Sequence, residues 1–330
     1  MRQKDNKMRK ITFLMSEDVP LSSFAIPLDV FMAAGNFWNK LLNKVQEPAF
    51  EIQTVTVDGN PVKSIYGPEI KPDASIDDAD VTGTIIVGAT VDPNTFLPDK
   101  TIPWLKSAYK NGIHIASICT GTFLLAETGL LNNKIATTHW GFIDEFRNRF
   151  PEVILKPEKL ITDENDLFCS GGANAGGDLA LYLVSKYSGK EVALQTARAL
   201  LMDMDRSSQS SYSIFRFEKS HGDNEIVNIQ DWIENHFKKE IRVDSLANKA
   251  GMSRRTFERR FKNATGDSPL KYLQRVRVES AKTQLEKGFK TFDEITYQVG
   301  YEDSSTFSRI FKKNTGLSPK LYKDKYTLLS

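Results

Sequence analysis

The C-terminal third of the chain contains an internal repeat with an offset of fifty residues. Residues 253–262 recur as residues 303–312, and each copy is followed by Thr-Gly and then by Ser-Pro at the same spacing. Ten positions are identical in the two copies, namely 256, 257, 259, 261, 262, 265, 266, 268, 269 and 272 with their counterparts fifty residues on. Because each copy must form the same supersecondary unit, this repeat constrains the fold more than any other feature of the sequence.

Each copy contains residues that begin and end helices. Ser253 and Asp303 are favourable N-caps, because their side-chain oxygens accept hydrogen bonds from unpaired backbone N–H groups. Gly266 and Gly316 stand where a helix can end in the left-handed conformation. The Ser-Pro pairs that follow predict the N-cap and the first residue of the next helix.

A shorter helix is predicted upstream of each capped helix. Leu246-Ala247 and Ile295-Thr296 indicate the beginnings of these first helices. Gly251 and Gly300 fit the tight turns that follow, where φ can be positive. The sequence therefore predicts two helix-turn-helix units, at about residues 243–262 and 292–312.

The two capped helices have one apolar and one polar face. At roughly 100° per residue, the pairs Phe257/Phe261 and Phe307/Phe311 each point toward a core. The opposite faces carry side chains that hydrogen-bond base edges and phosphates. The residues predicted to contact DNA on these faces are Arg255, Arg259 and Lys262 in the first copy, and Ser304, Ser305, Ser308, Arg309 and Lys312 in the second.

Glu258 lies close to the same face, although a carboxylate repels phosphate. Two roles are open for it. It accepts a hydrogen bond from a cytosine amine, or it pairs with Arg254 or Lys262.

The segment between the copies, residues 270–286, predicts one long helix. At about 1.5 Å per residue it spans roughly 26 Å. With its flanking turns, it would hold two recognition helices about one DNA turn apart, ~34 Å.

Residues 221–330 contain 21 Lys and Arg against 15 Asp and Glu, a net charge of +6, whereas residues 1–220 carry −4. This asymmetry indicates an anionic partner for the C-terminal part.

Residues 225–322 resemble the DNA-binding domain of the AraC family of transcription regulators. The signature portion, residues 296–322, contains Gly300-Tyr301, the Phe307/Phe311 pair and Gly316-Leu-Ser-Pro319. The resemblance implies an all-α domain at about residues 225–326 that binds double-stranded DNA. It implies that Arg255, Glu258, Arg259 and Lys262 lie in one groove and the second set in another. Arg277 matches an arginine of the linking helix, and we expect it to form a structural ion pair.

Residues 8–202 alternate between strand and helix patterns. Apolar runs such as residues 84–87 and 113–118 predict buried strands, and residues 27–42 and 102–110 have helical spacing. This alternation indicates an α/β domain with a mostly parallel sheet. Residues 203–224, rich in Ser, Asp and Arg, are predicted to be a linker.

The composition indicates in which cellular compartment the protein functions. Two cysteines make no disulfide framework, which favours a reducing compartment. Residues 1–10 lack the apolar stretch of a signal peptide, and no run approaches the roughly 20 apolar residues of a membrane helix. We therefore expect a cytoplasmic protein without membrane association.

The four histidines are too scattered for a metal site, and residues 171–177 lack a nucleotide-binding pattern, so we expect no metal and no cofactor.

Cys119 follows a predicted strand and precedes a predicted helix, as in a nucleophile elbow. A thiol at a helix N-terminus is expected to have a lowered pKa. This region resembles the PfpI-like branch of the class I glutamine amidotransferase-like fold over about residues 10–200, through residues 24–31, the Cys119 elbow, 137–140 and 170–181. The resemblance implies a flavodoxin-like parallel-sheet sandwich. Regulators that join such a domain to an AraC-type module form a recognised subgroup.

Active members of this fold use the elbow Cys, a His and an upstream carboxylate. Cys119 matches the first and His139 the second, but Ser23 occupies the acid position and Thr120 follows the cysteine. A Cys–His pair without its orienting acid is a weak catalytic site. Three roles for Cys119 stay open: it lines an effector pocket with His139 and Ser23, it fills space at the turn, or it acts as a nucleophile or redox sensor.

The sequence thus predicts a sequence-specific transcription regulator rather than an enzyme. Its α/β domain would bind a small-molecule effector and form a homodimer, and RNA polymerase is a candidate partner. One alternative is a PfpI-like cysteine hydrolase or redox-sensing enzyme with a DNA-binding appendage. Another is an architectural DNA-binding protein whose affinity no ligand changes.

Overall fold

A computed structural model of the chain divides into two compact units, Met1–Gln209 and Ser210–Ser330. The structure describes residues 8–65, 67–93, 98–204, 206–214, 217, 219, 221–288 and 290–327, with the side chain of Pro98 excepted. Within these ranges, no helix is both long enough and apolar enough to cross a membrane.

The first unit is built on a seven-stranded sheet in the order β10-β11-β7-β6-β1-β2-β5. All neighbours are parallel except β10 and β11, which form an antiparallel pair at one edge. Two further pairs, β3-β4 and β8-β9, lie outside the sheet. The strands are β1 Arg9–Leu14, β2 Phe50–Thr56, β3 Val62–Lys63, β4 Glu69–Ile70, β5 Ala74–Ser75, β6 Thr84–Val87, β7 His114–Ile118, β8 Ile135–Ala136, β9 Ile154–Leu155, β10 Ile161–Asp163 and β11 Leu167–Ser170.

Helices cover both faces of this sheet, as the burial of its central strands requires. One core contains Phe13 of β1 and lies under α1, α6 and α7, and the other contains Val87 of β6 and lies under α3, α4 and α5. A short 3-10 helix, Trp140–Phe142, precedes α5. The α-helices are α1 Leu21–Ala33, α2 Phe37–Leu41, α3 Pro98–Lys110, α4 Gly121–Glu127, α5 Ile143–Arg149, α6 Ala175–Ser188 and α7 Lys190–Ala199. The predicted α/β class, with its mostly parallel sheet, is confirmed.

The described part of the second unit is helical, as predicted. Its helices are α8 Asn224–His236, α9 Val243–Lys249, α10 Arg254–Thr265, α11 Pro269–Glu286, α12 Phe292–Gln298, α13 Ser304–Thr315 and α14 Pro319–Tyr326. Two apolar cores lie along α11. Its N-terminal half contributes Leu273 to the core of the first repeat, and its C-terminal half contributes Leu285 to the core of the second. One long helix therefore belongs to both repeats.

One predicted helix boundary is wrong. The helix predicted at residues 27–42 begins at Leu21 and is divided by a turn at residues 34–36. The first helices of the repeats begin at Val243 and Phe292, which agrees with the predicted starts of the two helix-turn-helix units, although the apolar pairs at Leu246 and Ile295 by themselves indicate starts three residues later. For α12 the earlier start is due to a capping box. The Thr291 hydroxyl accepts from the Glu294 N–H at 3.3 Å, and the Glu294 carboxylate accepts from the Thr291 N–H at 2.7 Å.

Candidate nucleic-acid interface and the Cys119 elbow

The first helix-turn-helix unit consists of α9, a short turn and α10. Gly251 takes a φ of +66° in the turn, a value that favours glycine. The Ser253 hydroxyl then accepts from the Thr256 N–H at 3.4 Å and caps α10. The predicted turn and cap are therefore both present, and they set where the recognition helix begins.

The second helix-turn-helix unit repeats this arrangement with α12 and α13. Gly300 has a φ of +87°, and a Cβ there would lie 2.7 Å from the Lys238 carbonyl oxygen, so a larger residue would be both strained and crowded. The Asp303 carboxylate accepts from the N–H groups of Ser305 and Thr306 at 3.2 and 2.8 Å. A hydrogen bond from the Thr306 side chain, together with these two backbone hydrogen bonds, lowers the pKa of Asp303.

The inner faces of α10 and α13 are anchored by aromatic rings. All four phenylalanines predicted to point inward, 257, 261, 307 and 311, are fully buried. Tyr272 packs edge-on against Phe261, and Tyr322 packs edge-on against Phe311. The apolar positions of the repeat thus fix how each recognition helix lies on α11.

The outer faces are open to solvent. Of the nine residues predicted to contact DNA, the exposed ones are Arg255, Arg259, Lys262, Ser305, Arg309 and Lys312, and the partly buried ones are Glu258, Ser304 and Ser308. Their contact with DNA stays a prediction, because no nucleic acid is present. Their accessibility is what such a contact requires.

Within the part of the chain that the structure describes, the cations of the outer faces are not paired with acids, unlike several other cations of the second unit. Elsewhere in the unit, Arg260 pairs with Asp223 at 2.7 Å, Lys271 and Arg275 share Asp267, and Lys282 pairs with Glu279. On the outer faces, no carboxylate among the described residues lies within 4.0 Å of Arg255, Arg259, Lys262, Arg309 or Lys312. Their charge is therefore not neutralised by a neighbouring acid, as an anion-binding surface requires.

Glu258 takes one of the two roles left open by the sequence. Its carboxylate accepts from Arg254 Nε at 3.1 Å, one helical turn away. Arg254 also contacts Asp244 at 3.2 Å, so the three side chains form a small network at the start of α10. This pairing offsets the repulsion that the carboxylate would exert on phosphate.

The expectation of an ion pair for Arg277 is wrong. Its guanidinium donates to the carbonyl oxygens of Phe237 and Lys239, both at 2.9 Å, and stacks on the Tyr301 ring. These carbonyls follow the end of α8, where backbone acceptors lack helical partners. Arg277 therefore caps that chain segment rather than neutralising a carboxylate.

Cys119 forms the predicted elbow between β7 and α4. Its φ of +57° is in the left-handed region, which is strained for a residue with a side chain. The Cys119 N–H donates to the Ser170 carbonyl at 3.0 Å, and the Cys119 carbonyl accepts from the Thr138 hydroxyl at 2.9 Å. The turn is therefore held from two neighbouring loops.

The expected low pKa of this thiol is wrong. Cys119 is only 8% exposed, and burial raises its pKa to about 11, against the opposing effect of hydrogen bonds from the backbone of Thr120 and Ala173. Burial also raises the pKa of the Cys169 thiol. A helix N-terminus lowers a thiol pKa effectively only where the thiolate is also solvated.

The other two residues of the predicted effector pocket differ in their placement. His139 follows Thr138 directly, and its Nδ1 accepts from the Gly141 N–H at 3.0 Å. Its ring lies so close to Gly172 that a Cβ there would be 3.0 Å from His139 Cδ2. Ser23 is buried in the first turn of α1, and its hydroxyl donates to the Pro20 carbonyl at 2.8 Å. No described contact joins Ser23 to Cys119, and the shared pocket stays a prediction.

Sequence reasoning missed Gln209, which lies inside the predicted linker. Its side chain is 3% exposed and inserts beside the loop that contains Thr137 and Thr138. Parts of the predicted linker, residues 205, 215, 216, 218 and 220, lie outside the described residues. A buried glutamine in a Ser-rich stretch gives no periodic signal, so only the fold identifies it.

Ionisable groups elsewhere offer no metal centre: among the described residues, no group of three His, Cys, Asp or Glu side chains is placed to hold a metal ion. Asp178, at the start of α6, is a buried carboxylate whose pKa is raised to about 6 by burial, although Arg206 lies 3.2 Å away. Asp178 and Arg206 form a structural ion pair, which holds residue 206 against the start of α6.

Comparison with known proteins covers both units. The sequence pattern of the DJ-1/PfpI family matches residues 9–186, more than half of the chain, and that of a helix-turn-helix domain matches residues 246–325. The HTH-type transcriptional regulator CdhR of Pseudomonas aeruginosa is 25% identical over 283 residues, which are 85% of this chain and 83% of that protein.

Two further similarities concern the first unit. A crystal structure of an AraC family transcriptional regulator from Pseudomonas putida matches 58% of this chain and 99% of its own with a TM-score of 0.51 and 21% identity, which shows the fold alone. The isonitrile hydratase of Pseudomonas putida is 33% identical over 149 residues, which are 44% of this chain and 63% of that enzyme. The similarity to an enzyme is therefore partial.

The relatives whose similarity extends over both units, such as CdhR, are transcription regulators, and this combination of domains defines the class of protein. The protein is a helix-turn-helix regulator of transcription. It belongs to the AraC family, in the group whose members carry an N-terminal DJ-1/PfpI domain.

Proposed function

We propose that the protein binds specific DNA sequences through both recognition helices and that a small-molecule effector in the first unit controls this binding. The observation that carries the first part is the placement of five cations on the solvent-exposed outer faces of α10 and α13, where none has an acid within 4.0 Å among the described residues.

The length of α11 supports simultaneous use of both helices. Its 18 residues span about 27 Å at about 1.5 Å per residue. With a turn at each end, this length suits recognition helices in successive major grooves, about 34 Å apart. Affinity would then fall steeply with salt, because many phosphate contacts release counterions.

The first unit is the proposed sensor. Cys119 and His139 belong to loops that meet at the carboxyl ends of β7 and β11, where ligands bind in open α/β sheets. We place the protein in the cytoplasm, as a homodimer, with RNA polymerase as a further partner. The thiol pKa of about 11 supports a binding rather than a catalytic role for this turn.

Selection of bound duplexes from a random-sequence pool tests the DNA part. The full chain should enrich one motif with two contact blocks about one helical turn, ~34 Å, apart. The variants Arg259→Ala and Arg309→Ala should each lose one block. Arg147→Ala, an exposed arginine of the first unit, is the matched control. Retention of DNA without any enriched motif would contradict specific binding.

A screen of small molecules for a shift in affinity for that duplex tests the effector part. A compound that shifts the affinity of the full chain, and not of a Cys119→Phe or His139→Ala variant, would support a pocket at these loops. A complete absence of response would favour the architectural alternative.

An enzymatic role is the second candidate, favoured by the left-handed Cys119 elbow and the partial similarity to isonitrile hydratase. The rate of alkylation by iodoacetamide as a function of pH separates the two. With a thiol pKa of about 11, labelling of Cys119 should keep rising well above pH 9. A plateau near neutral pH would identify a reactive thiolate and favour the enzyme.

A further inference from the structure

Residues 206–209, the anchor segment, are fastened to the first unit by several independent contacts. The Ser207 carbonyl accepts from the Leu160 N–H, and the Gln209 N–H donates to the Glu158 carbonyl, both at 3.2 Å. The Ser208 hydroxyl donates to the same Glu158 carbonyl at 2.9 Å. Arg206 pairs with Asp178. The chain therefore leaves the first unit only after Gln209.

Gln209 is the innermost of these contacts. Its side-chain oxygen accepts from the Trp140 N–H at 3.2 Å, and its nitrogen donates to the Thr138 carbonyl at 2.8 Å. The same nitrogen lies 3.1 and 3.2 Å from the Thr137 hydroxyl and the Lys159 carbonyl. A buried amide is stable only while such partners are kept.

Thr138 connects this amide to the Cys119 elbow. Its carbonyl accepts from Gln209, and its hydroxyl donates to the Cys119 carbonyl at 2.9 Å. On the other side, a Cβ on Gly171 would lie 2.8 Å from the Gln209 oxygen. Gln209 thus fills a slot between the loop of His139 and the turn that follows β11.

The chain is held again just after the unit boundary. Lys282 of α11 donates to the Ser213 carbonyl at 2.6 Å, and the Tyr326 hydroxyl contacts the Ser211 hydroxyl at 3.1 Å. Only a short stretch of chain therefore separates the last anchor of the first unit from the first anchor of the second. Release of residues 206–209 would lengthen that stretch by four residues, at most about 14 Å of added reach.

We propose that Gln209 is a positioning residue that couples the Cys119 elbow to DNA binding: an effector that displaces the Thr137–Thr138 loop frees the anchor segment and lengthens the tether of the DNA-binding unit. This coupling rests on the proposed effector site and on the proposed homodimer. Once the DNA-binding unit of one protomer is bound, a longer tether changes the effective concentration of the other protomer's DNA-binding unit at its site, and so changes affinity without altering any base contact.

Two substitutions disrupt the buried contacts of the Gln209 amide in different ways. Gln209→Ala removes it, and Gly171→Ala occupies its slot while leaving the segment itself unchanged. Trypsin cleavage after Arg206 in the full chain reports release, and we expect it to be at least about 10-fold faster in both variants, because exposed, unpinned segments are the preferred sites of cleavage. Gln195→Ala, a Gln-to-Ala change on the surface of α7, is the matched control and should cleave like the parent.

DNA affinity is measured on the duplex enriched by selection. If no duplex is enriched, a random-sequence duplex at low salt is used, so that a failure of specific binding can be told apart from a failure of the Gln209 coupling. Both variants should shift affinity in the same direction by at least about 3-fold, and the double variant should equal either single one, since both act on one contact. Cleavage accelerated with affinity unchanged would overturn the coupling. Additive effects, or no acceleration in either variant, would overturn the role of Gln209.

Discussion

The two helix-turn-helix units have nearly the same inner face and different outer faces. In each, a phenylalanine pair packs on a tyrosine, and the tyrosine hydroxyl donates at 2.7 Å to a carboxylate, Glu234 for Tyr272 and Glu286 for Tyr322. The first outer face has a salt-bridged network around Glu258, and the second has three serines. Positions that pack on α11 are thus fixed by shape, whereas positions that face solvent are free to differ, as recognition of different bases would require.

The units also differ in how their recognition helices begin. Ser253 caps α10 with a single hydrogen bond, and Asp303 caps α13 with two. The core of the first repeat includes residues of α8, and that of the second includes residues of α14, so neither core is a full copy of the other. Four predictions test whether the units are equivalent in stability and different in recognition.

The largest expected effect is on the cores. Phe261→Ala and Phe311→Ala should each lower the free energy of unfolding by about 3–5 kcal/mol, because each empties a fully buried site. Since α11 belongs to both cores, each variant should destabilise the whole helical unit in urea titrations followed by circular dichroism. Phe311→Leu, which keeps most of the volume, is the control. An additional transition that is absent from the parent, with one core intact, would show that α11 does not join the repeats.

The tyrosine pair should show a linked pH dependence. Burial, and then the hydrogen bond to Glu286, raise the pKa of Tyr322, and burial with Glu234 does the same for Tyr272. The unfolded chain loses these protons at about pH 10, while the folded chain keeps them. Stability should therefore fall as pH rises above about 10.

Replacing either tyrosine by phenylalanine removes its part of that fall and costs about 1.5–3 kcal/mol at neutral pH, the value of a hydrogen bond to a charged group. Thermal melts between pH 7 and 11 measure both effects. Equal slopes in the parent and in the Tyr272→Phe/Tyr322→Phe double variant would rule out this origin.

Recognition should distinguish the outer faces. Arg259→Ala and Arg309→Ala should each weaken binding to a preferred duplex by about 1–3 kcal/mol if they contact base edges. A phosphate contact would instead weaken binding to all sequences and reduce the salt slope by about 1. Fluorescence anisotropy on preferred and scrambled duplexes at several salt concentrations separates these cases. Arg309→Ala binding like the parent on every duplex would remove Arg309 from the interface.

The smallest effects concern the caps. Ser253→Ala should cost about 1 kcal/mol of stability, and Asp303→Ala should cost more, because two N–H groups lose their acceptor. Because hydrogen bonds lower the pKa of Asp303, its contribution is complete above a pH of about 4 and disappears as pH falls through the lowered pKa. The Asp303→Ala difference should therefore vanish in acid, while the Ser253→Ala difference persists. Urea titrations at pH 7 and pH 2.5 measure both differences, and two differences that changed alike between these pH values would show that the caps are equivalent.

The sequence by itself determined the features that depend on nearby residues. The repeat, the caps at Ser253 and Asp303, the turns at Gly251 and Gly300, and the inward phenylalanines all follow from spacings within one or two helical turns. The fold class of the first unit followed in the same way from alternating strand and helix patterns, and from the motifs around Cys119. Local geometry is encoded locally, because backbone hydrogen bonds and helix periodicity act over a few residues.

Only the tertiary structure decided the features that depend on partners distant in the chain. Cys119 lies at a helix N-terminus, as its sequence indicates, but the loops from Thr138 and Ala173 bury it, and burial outweighs the helix dipole. Arg277 finds backbone carbonyls forty residues away instead of a carboxylate. Gln209 is held by residues some seventy positions earlier. Desolvation and long-range hydrogen bonds arise only when distant segments meet, so a single sequence does not reveal them.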